Sequence, residues 1–246
     1  MRQNLRVQKY GGSSLDSIDK IKSIAKQIKL DFDQGDQFLL VVSAMGKTTD
    51  DLISKAHDIS QKPNQRELDM LLTAGERISM AMMSIALNDL NVPAISFTGS
   101  QAGIMTCGTH GNADILEVKP IRVNEEIKNG KVVIIAGFQG VDPNTKEITT
   151  LGRGGTDTTA IAMATHFGCD QCEFMKDTEG VYTSDPHTDS AAQPIPNLTW
   201  EEAVSMTEKG SPFLHIKASQ LALKNKMPLV ISHAHKPNGL KTIIKD

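Results

Sequence analysis

Between Thr149 and Thr159 the chain reads T-T-L-G-R-G-G-T-D-T-T, which sets Gly152, Arg153, Gly154, Gly155 and Asp157 between a strand candidate and a helix candidate. Glycines let a backbone turn tightly and aim its N–H groups at an anion, and the following A-I-A-M-A can start a helix whose positive end favours phosphate. Arg153 offers a planar fork suited to a carboxylate or phosphate. Asp157, in the first helical turn, suits a cap or a group that orients a reacting centre. Two more stretches have this character: Lys9 to Ser14 (K-Y-G-G-S-S) and Ser43 to Thr49 (S-A-M-G-K-T-T). One such loop is common and weak evidence. Brought together, they gather Lys9, Ser43, Thr49, Arg153 and Asp157 around one cleft rich in backbone N–H donors. That equipment suits phosphoryl transfer, in which a protein mainly positions two anions and neutralises charge on the moving group.

The elements that must position these residues follow from periodicity. Leu5 to Tyr10 alternates as a strand, and Leu15, Ile18, Ile21, Ile24 and Ile28 recur at helical spacing behind it. Phe38 to Val42 is a short apolar run of the kind buried on both faces of a parallel sheet. Leu68 to Leu90 predicts a buried helix with T-A-G-E-R near its start, Pro93 to Phe97 a strand, and Val132 to Phe138 a further strand. Gly103 to Asp114 reads as a hairpin or a mobile loop. Later come strands at Cys172 to Met175 and Leu229 to Ser232, helices at Glu201 to Glu208 and Ala218 to Asn225, and a proline-broken segment from Asp185 to Pro196. Strands alternating with helices predict one three-layer α/β/α domain with a mostly parallel central sheet. In such sheets ligands bind beyond the carboxyl ends of the strands, where the glycine loops are expected.

Composition narrows the function classes. The 246 residues carry 29 acids against 26 lysines and arginines, a net charge of −3, with no basic stripe to neutralise a nucleic-acid backbone. No unbroken apolar run approaches a bilayer span, and the N-terminus lacks the apolar core of a secretory signal, so no membrane partner and a cytoplasmic setting are expected. Cys107, Cys169 and Cys172 do not suit a disulfide framework, and C-x-x-C at 169–172 has no second pair to complete a zinc site. Two nucleotide motifs fail. Gly46-Lys47-Thr48 imitates a P-loop but Val41 stands where its first glycine is required, and G-R-G-G-T-D lacks the third glycine of the dinucleotide fingerprint.

Read in order, V-Q-K-Y-G-G-S-S-L, V-V-S-A-M-G-K-T-T-D, L-L-T-A-G-E-R-I-S, S-F-T-G-S-Q-A-G-I, A-G-F-Q-G-V, T-T-L-G-R-G-G-T-D-T-T-A and D-T-E-G-V-Y-T-S-D-P resemble the catalytic domain of aspartate kinases, in the amino acid kinase superfamily. The resemblance implies ATP-dependent phosphorylation of the side-chain carboxylate of L-aspartate, the first step toward lysine, threonine and methionine, with Mg2+ bridging the phosphates. It also implies a homodimer. Carried over by motif, Lys9 stabilises the transferring phosphoryl group and Asp157 organises the reacting centre. Ser43, Thr49, Glu76, Arg153 and Gly154 hold the acid substrate, with Glu76 on its ammonium and Arg153 on its carboxylate. Lys9, Gly11, Gly12, Ser13, Lys176, Asp177, Tyr182 and His187 contact the nucleotide. The acid is thus expected mainly on residues 1–139 and the nucleotide on residues 140–246.

The departures from the family cluster on the nucleotide side. Lys176 stands where threonine or serine is usual, His187 where arginine is usual after D-P, and Pro212 in place of a lysine expected on the phosphates. Either Lys176 or Lys217 supplies the missing cation, or the nucleotide lobe has diverged, leaving a weak kinase or a binder without turnover. A relative acting on another small acid is the remaining alternative. No counterpart of the family's regulatory ACT domains is expected in these 246 residues, hence no inhibition by lysine or threonine through one.

Overall fold

The computed structural model describes residues 5–184, 188–236 and 238–246. The chain runs β1 (Leu5–Tyr10), α1 (Ile18–Asp33), β2 (Gln37–Val42), α2 (Thr48–Ile59), α3 (Gln65–Asp89), β3 (Ala94–Phe97), β4 (Ile104–Thr106), β5 (Ile115–Val118) and α4 (Ile121–Lys128). Next come β6 (Val132–Ala136), β7 (Gln139–Val141), β8 (Ile148–Thr150), α5 (Gly155–Phe167), β9 (Cys172–Lys176), β10 (Val181–Tyr182) and β11 (Pro194–Ile195). The chain then forms β12 (Asn197–Leu198), α6 (Trp200–Glu208), α7 (Ile216–Asn225), β13 (Leu229–His233) and β14 (Lys241–Ile244).

Eight strands form the central sheet in the order β12-β14-β13-β9-β1-β2-β6-β3, parallel at every pairing except β13 with β14. Its middle is built from strands that never meet water: every residue of β2 and of β6 is buried, as a sheet covered on both faces requires. Side chains alternate between two cores. Phe38, Leu40, Val42, Val132 and Ile134 pack with Ile21, Ile24 and Ile28 of α1 and Met83 and Leu87 of α3. Val7, Leu39, Val41, Val133 and Ile135 pack on the other face with Ala160, Ile161 and Ala164 of α5 and with residues of α4, α6 and α7. Each buried isoleucine or leucine contributes about 1.5–3 kcal/mol. The predicted three-layer architecture is therefore observed.

A second sheet was not anticipated. Strands β5-β4-β7-β8 form a four-stranded unit, antiparallel except where β4 meets β7. It corrects two expectations. The strand predicted over Val132 to Phe138 ends at Ala136, because the chain turns out of the main sheet through Phe138, at φ +69°. The Gly152 loop therefore follows β8 of the small sheet and not a strand of the parallel sheet. Gly103 to Asp114 is the hairpin alternative, with β4 and β5 joined by a loop over residues 107–114. T-A-G-E-R lies in the middle of α3, a 25-residue helix, not near its start.

Candidate active site

Chain order places β2, β6 and β3 on one side of β1, then β9 and β13 on the other. The boundary between β1 and β9 is thus a topological switch point, where a cleft opens beyond the strand ends. Lys9 near the end of β1, Ser43 just past β2 and Lys176 at the end of β9 all lie at this edge. Gly12 and the Ser43–Thr49 loop interlock. Gly46 N–H donates to Gly12 O at 3.0 Å, and a Cβ on Gly12 would sit 2.7 Å from Ala44 O. Thr49 is not in that loop, because α2 begins one residue earlier, at Thr48, and takes Thr49 into its first turn.

Helix α5 enters from the small sheet. Its N-cap, Gly154, has φ +76°, and a Cβ there would lie 2.2 Å from Cβ of His215, so this turn has room only for glycine. The helix is apolar around most of its circumference, which buries it and brings its first turn to the sheet edge. There Asp157 Oδ1 meets Lys9 Nζ at 2.7 Å, with both side chains nearly enclosed. Arg153, one residue before the cap, is exposed and without an ion pair among the described residues.

Glu76 is 3 % exposed. One carboxylate oxygen, Oε1, accepts from Ala44 N–H at 3.0 Å; the other, Oε2, is buried with no hydrogen-bond partner among the described residues. Desolvation pushes its pKa up to about 7, against the lowering effect of the Ala44 N–H. A buried acceptor without a donor is costly, and it marks a place where a cationic or donor group belongs. Ala44 touches both Glu76 and Gly12, which ties this carboxylate to the Lys9 loop.

Next to the Lys9–Asp157 pair lies a cleft of about 540 Å³, lined among others by Lys176, Asp177, Tyr182, Lys209, Pro212 and Phe213. Lys176 Nζ donates to Phe213 O at 2.8 Å. Its pKa is lowered, first by burial and then by the nearby charge of Lys9. Lys217, the alternative replacement for the missing cation, donates instead to Asn112 Oδ1 at 2.6 Å and does not line this cleft. Lys209 was not anticipated. Its only sequence signal is its place three residues before Pro212. Gly11 adjoins Lys9, while Ser13 is exposed with its carbonyl accepting from Lys20 Nζ. His187 lies outside the described residues. A larger cavity of about 680 Å³ opens at the opposite end of β1, around Leu5, Gln37 and Gln171, far from these groups.

The profile of the amino acid kinase family matches residues 4–233. The aspartokinase of Mycobacterium tuberculosis is 46 % identical over 231 residues, covering 94 % of this chain and 55 % of its own length. The chain thus spans about half the length of the curated relatives it matches. Crystal structures of an aspartate kinase from Synechocystis (39 % identity, TM-score 0.84, covering 98 % of this chain and 40 % of that one) and of E. coli aspartokinase III with aspartate and ADP (23 %, TM-score 0.87, 98 % and 64 %) share its fold. With its fold, its switch-point cleft and this match over nearly its whole length, the chain belongs to the amino acid kinase family.

Proposed function

We propose that this domain transfers the γ-phosphoryl group of ATP to the side-chain carboxylate of L-aspartate. The single observation that carries the reading is Glu76: a buried carboxylate with one oxygen held by Ala44 N–H and the other unpartnered, a short way along the glycine loops from Lys9. Such an oxygen suits an ammonium, and Arg153, exposed and without an ion pair among the described residues, suits the substrate's α-carboxylate. Identity to aspartokinases across the whole domain supports the same substrate.

In this reading Ser43, Thr49 and Gly154 complete the acid site. A side-chain carboxylate oxygen attacks the γ-phosphorus as the bond to the β-phosphate oxygen breaks, and ADP leaves. The nucleophile is already ionised, so no general base is needed, and this suits Asp157, whose carboxylate is occupied by Lys9. Asp157 aims the ammonium of Lys9 at the oxygens on which charge accumulates. Gly11, Gly12 and Ser13 cradle phosphates from the β1 side, while Lys176, Asp177, Tyr182 and His187 belong to the nucleotide. Magnesium, when bound with ATP, would neutralise charge on the phosphates. In this reading the acid sits mainly on residues 1–139 and the nucleotide mainly on 140–246, with Arg153 and Gly154 reaching the acid from the second part and Gly11, Gly12 and Ser13 reaching the phosphates from the first.

The test is ADP release by the purified protein with Mg-ATP and L-aspartate, with glutamate and no-acid controls. Aspartate-dependent turnover is expected in the wild type and a loss of at least 10³-fold in Lys9→Ala; turnover indifferent to the acid overturns the reading. A binder without turnover is the second reading, favoured by Pro212 and by the engagement of Lys176 with Phe213 O.

A homodimer in the cytoplasm completes the proposal. Ile78 and Ile85 stand 47 % and 69 % exposed on one face of α3, and Ile85 lines an apolar groove with Ile18, Met82, Lys22, Lys26 and Asp89. A second copy suits this groove, because a two-fold contact would set the lysines of one protomer against Asp89 of the other. The free thiols of Cys107, Cys169 and Cys172 suit a reducing compartment.

A further inference from the structure

The loop over residues 107–114 is fastened at both ends of the Arg153 turn, and the fastening runs through a residue with no part in the chemistry above. Asp69, on α3, is 1 % exposed. Its carboxylate accepts from Thr150 Oγ1 at 2.5 Å, from Gly111 N–H at 3.1 Å and from His110 Nδ1 at 2.7 Å. Thr150 is the last residue of β8, three positions before Arg153, and its carbonyl accepts from Ala113 N–H at 2.8 Å. Gly152, at φ +72°, turns directly under the loop: a Cβ there would sit 2.8 Å from Asn112 Oδ1 and 3.2 Å from Gly111 O. Asn112 in turn accepts from Lys217 Nζ at 2.6 Å, on the first turn of α7. The loop is therefore a strap pinned to α3, β8 and α7, lying over the backbone that presents Arg153.

We infer that Asp69 is a positioning residue for the acid substrate: through Thr150 and the 107–114 strap it holds the Gly152–Gly154 turn, and thereby Arg153, in the orientation that receives the substrate's α-carboxylate. Arg153 itself is exposed and has no ion pair or side-chain hydrogen bond among the described residues, so the constraint on its direction that the structure shows comes from the backbone beneath it. Asp69 supplies that constraint from the core. A buried carboxylate that satisfies three donors on two segments cannot be replaced by an amide without leaving a donor facing a donor. This inference rests on the proposed role of Arg153 and goes beyond it, since it assigns the strap and Asp69 to one substrate and not to the other.

The experiment compares wild type with Asp69→Asn, Thr150→Val and Thr150→Ser. Hydrogen–deuterium exchange on the ligand-free proteins is expected to rise at least tenfold over 108–113 and 151–155 in the first two variants, with β1 and β2 unchanged, and to stay at the wild-type level in Thr150→Ser, which keeps the hydroxyl. The KM for L-aspartate is expected to rise at least tenfold in Asp69→Asn and Thr150→Val, with the KM for ATP within twofold of wild type. The double variant should be no worse than Asp69→Asn alone, because Thr150→Val cuts a link that Asp69→Asn already cuts. Unchanged exchange in those two segments, or an equal rise in both KM values, would overturn the inference. If the wild type shows no aspartate turnover, the functional reading has failed; exchange then still tests the strap, and calorimetric titration with L-aspartate takes the place of KM. Raised exchange with unaltered aspartate affinity leaves a strap but removes the positioning role.

Discussion

A carboxyl with a pKa of about 7 sets two opposing requirements on Glu76. The proposed ammonium partner needs it ionised, whereas the empty protein favours it protonated because its charge is desolvated. Affinity for L-aspartate should therefore improve as pH rises through about 7, visible as a falling KM. Stability runs the other way. The folded pKa lies above the ordinary value of 4.5, so between 4.5 and 7 the native state binds more protons than the unfolded state, and stability falls as pH rises through that window. Glu76→Gln removes a penalty of order 3 kcal/mol at pH 8. It should raise Tm at pH 8 relative to wild type, leave it near wild type at pH 4.5, and abolish aspartate-dependent ADP release. A Tm difference independent of pH would count against a buried, charge-averse Glu76. The carboxylate itself was legible in T-A-G-E-R; its unpartnered oxygen was not, because that depends on what α3 meets at Ala44.

Among the elements, β9 joins the two sides of the cleft. It pairs with β1 on one side and β13 on the other, and from its last residue Lys176 reaches across to the backbone between α6 and α7. The departures at Lys176 and Pro212 look independent in the sequence, yet they meet here: the lysine on β9 binds the carbonyl that follows the proline. Lys176 lines the cleft and Lys217 does not, which favours Lys176 as the replacement cation. Lys176→Ala should raise the KM for ATP at least tenfold while leaving that for L-aspartate within about twofold, measured by ADP release over both substrate ranges. Equal effects on both substrates would mean that the lysine only braces the α6–α7 connection. The strands and helices of the main sheet were readable because their periods are local: β1 matches its predicted span to the residue, and β2 and β9 lie within one residue of theirs. The small sheet was not, since its strands are three or four residues long and its two hairpins are joined by one long-range pairing, Met105 with Val141.

At the scale of the whole molecule, the apolar face along α1 and α3 is what the proposed dimer would cover. Wild type should behave as a dimer at micromolar concentration in light scattering after size exclusion. Ile85→Lys, which adds a third cation to the groove beside Lys22 and Lys26, should yield a monomer with an intact circular-dichroism spectrum. A wild type that is monomeric throughout overturns the dimer and leaves the proposed reaction untouched.

The sequence by itself determined the layered α/β/α architecture, the glycine loops and the chemical identity of Lys9, Glu76, Arg153 and Asp157, because periodicity, glycine tolerance and functional groups are properties of short stretches. Only the tertiary structure decided that Asp157 closes on Lys9, that Glu76 keeps a bare oxygen, that Thr49 belongs to a helix, and that Asp69 ties the 107–114 loop to the turn bearing Arg153. Those outcomes depend on which surfaces become neighbours when α3, α5 and the small sheet pack around the switch point, and a contact between residues 81 positions apart, such as Asp69 with Thr150, leaves no local pattern to read.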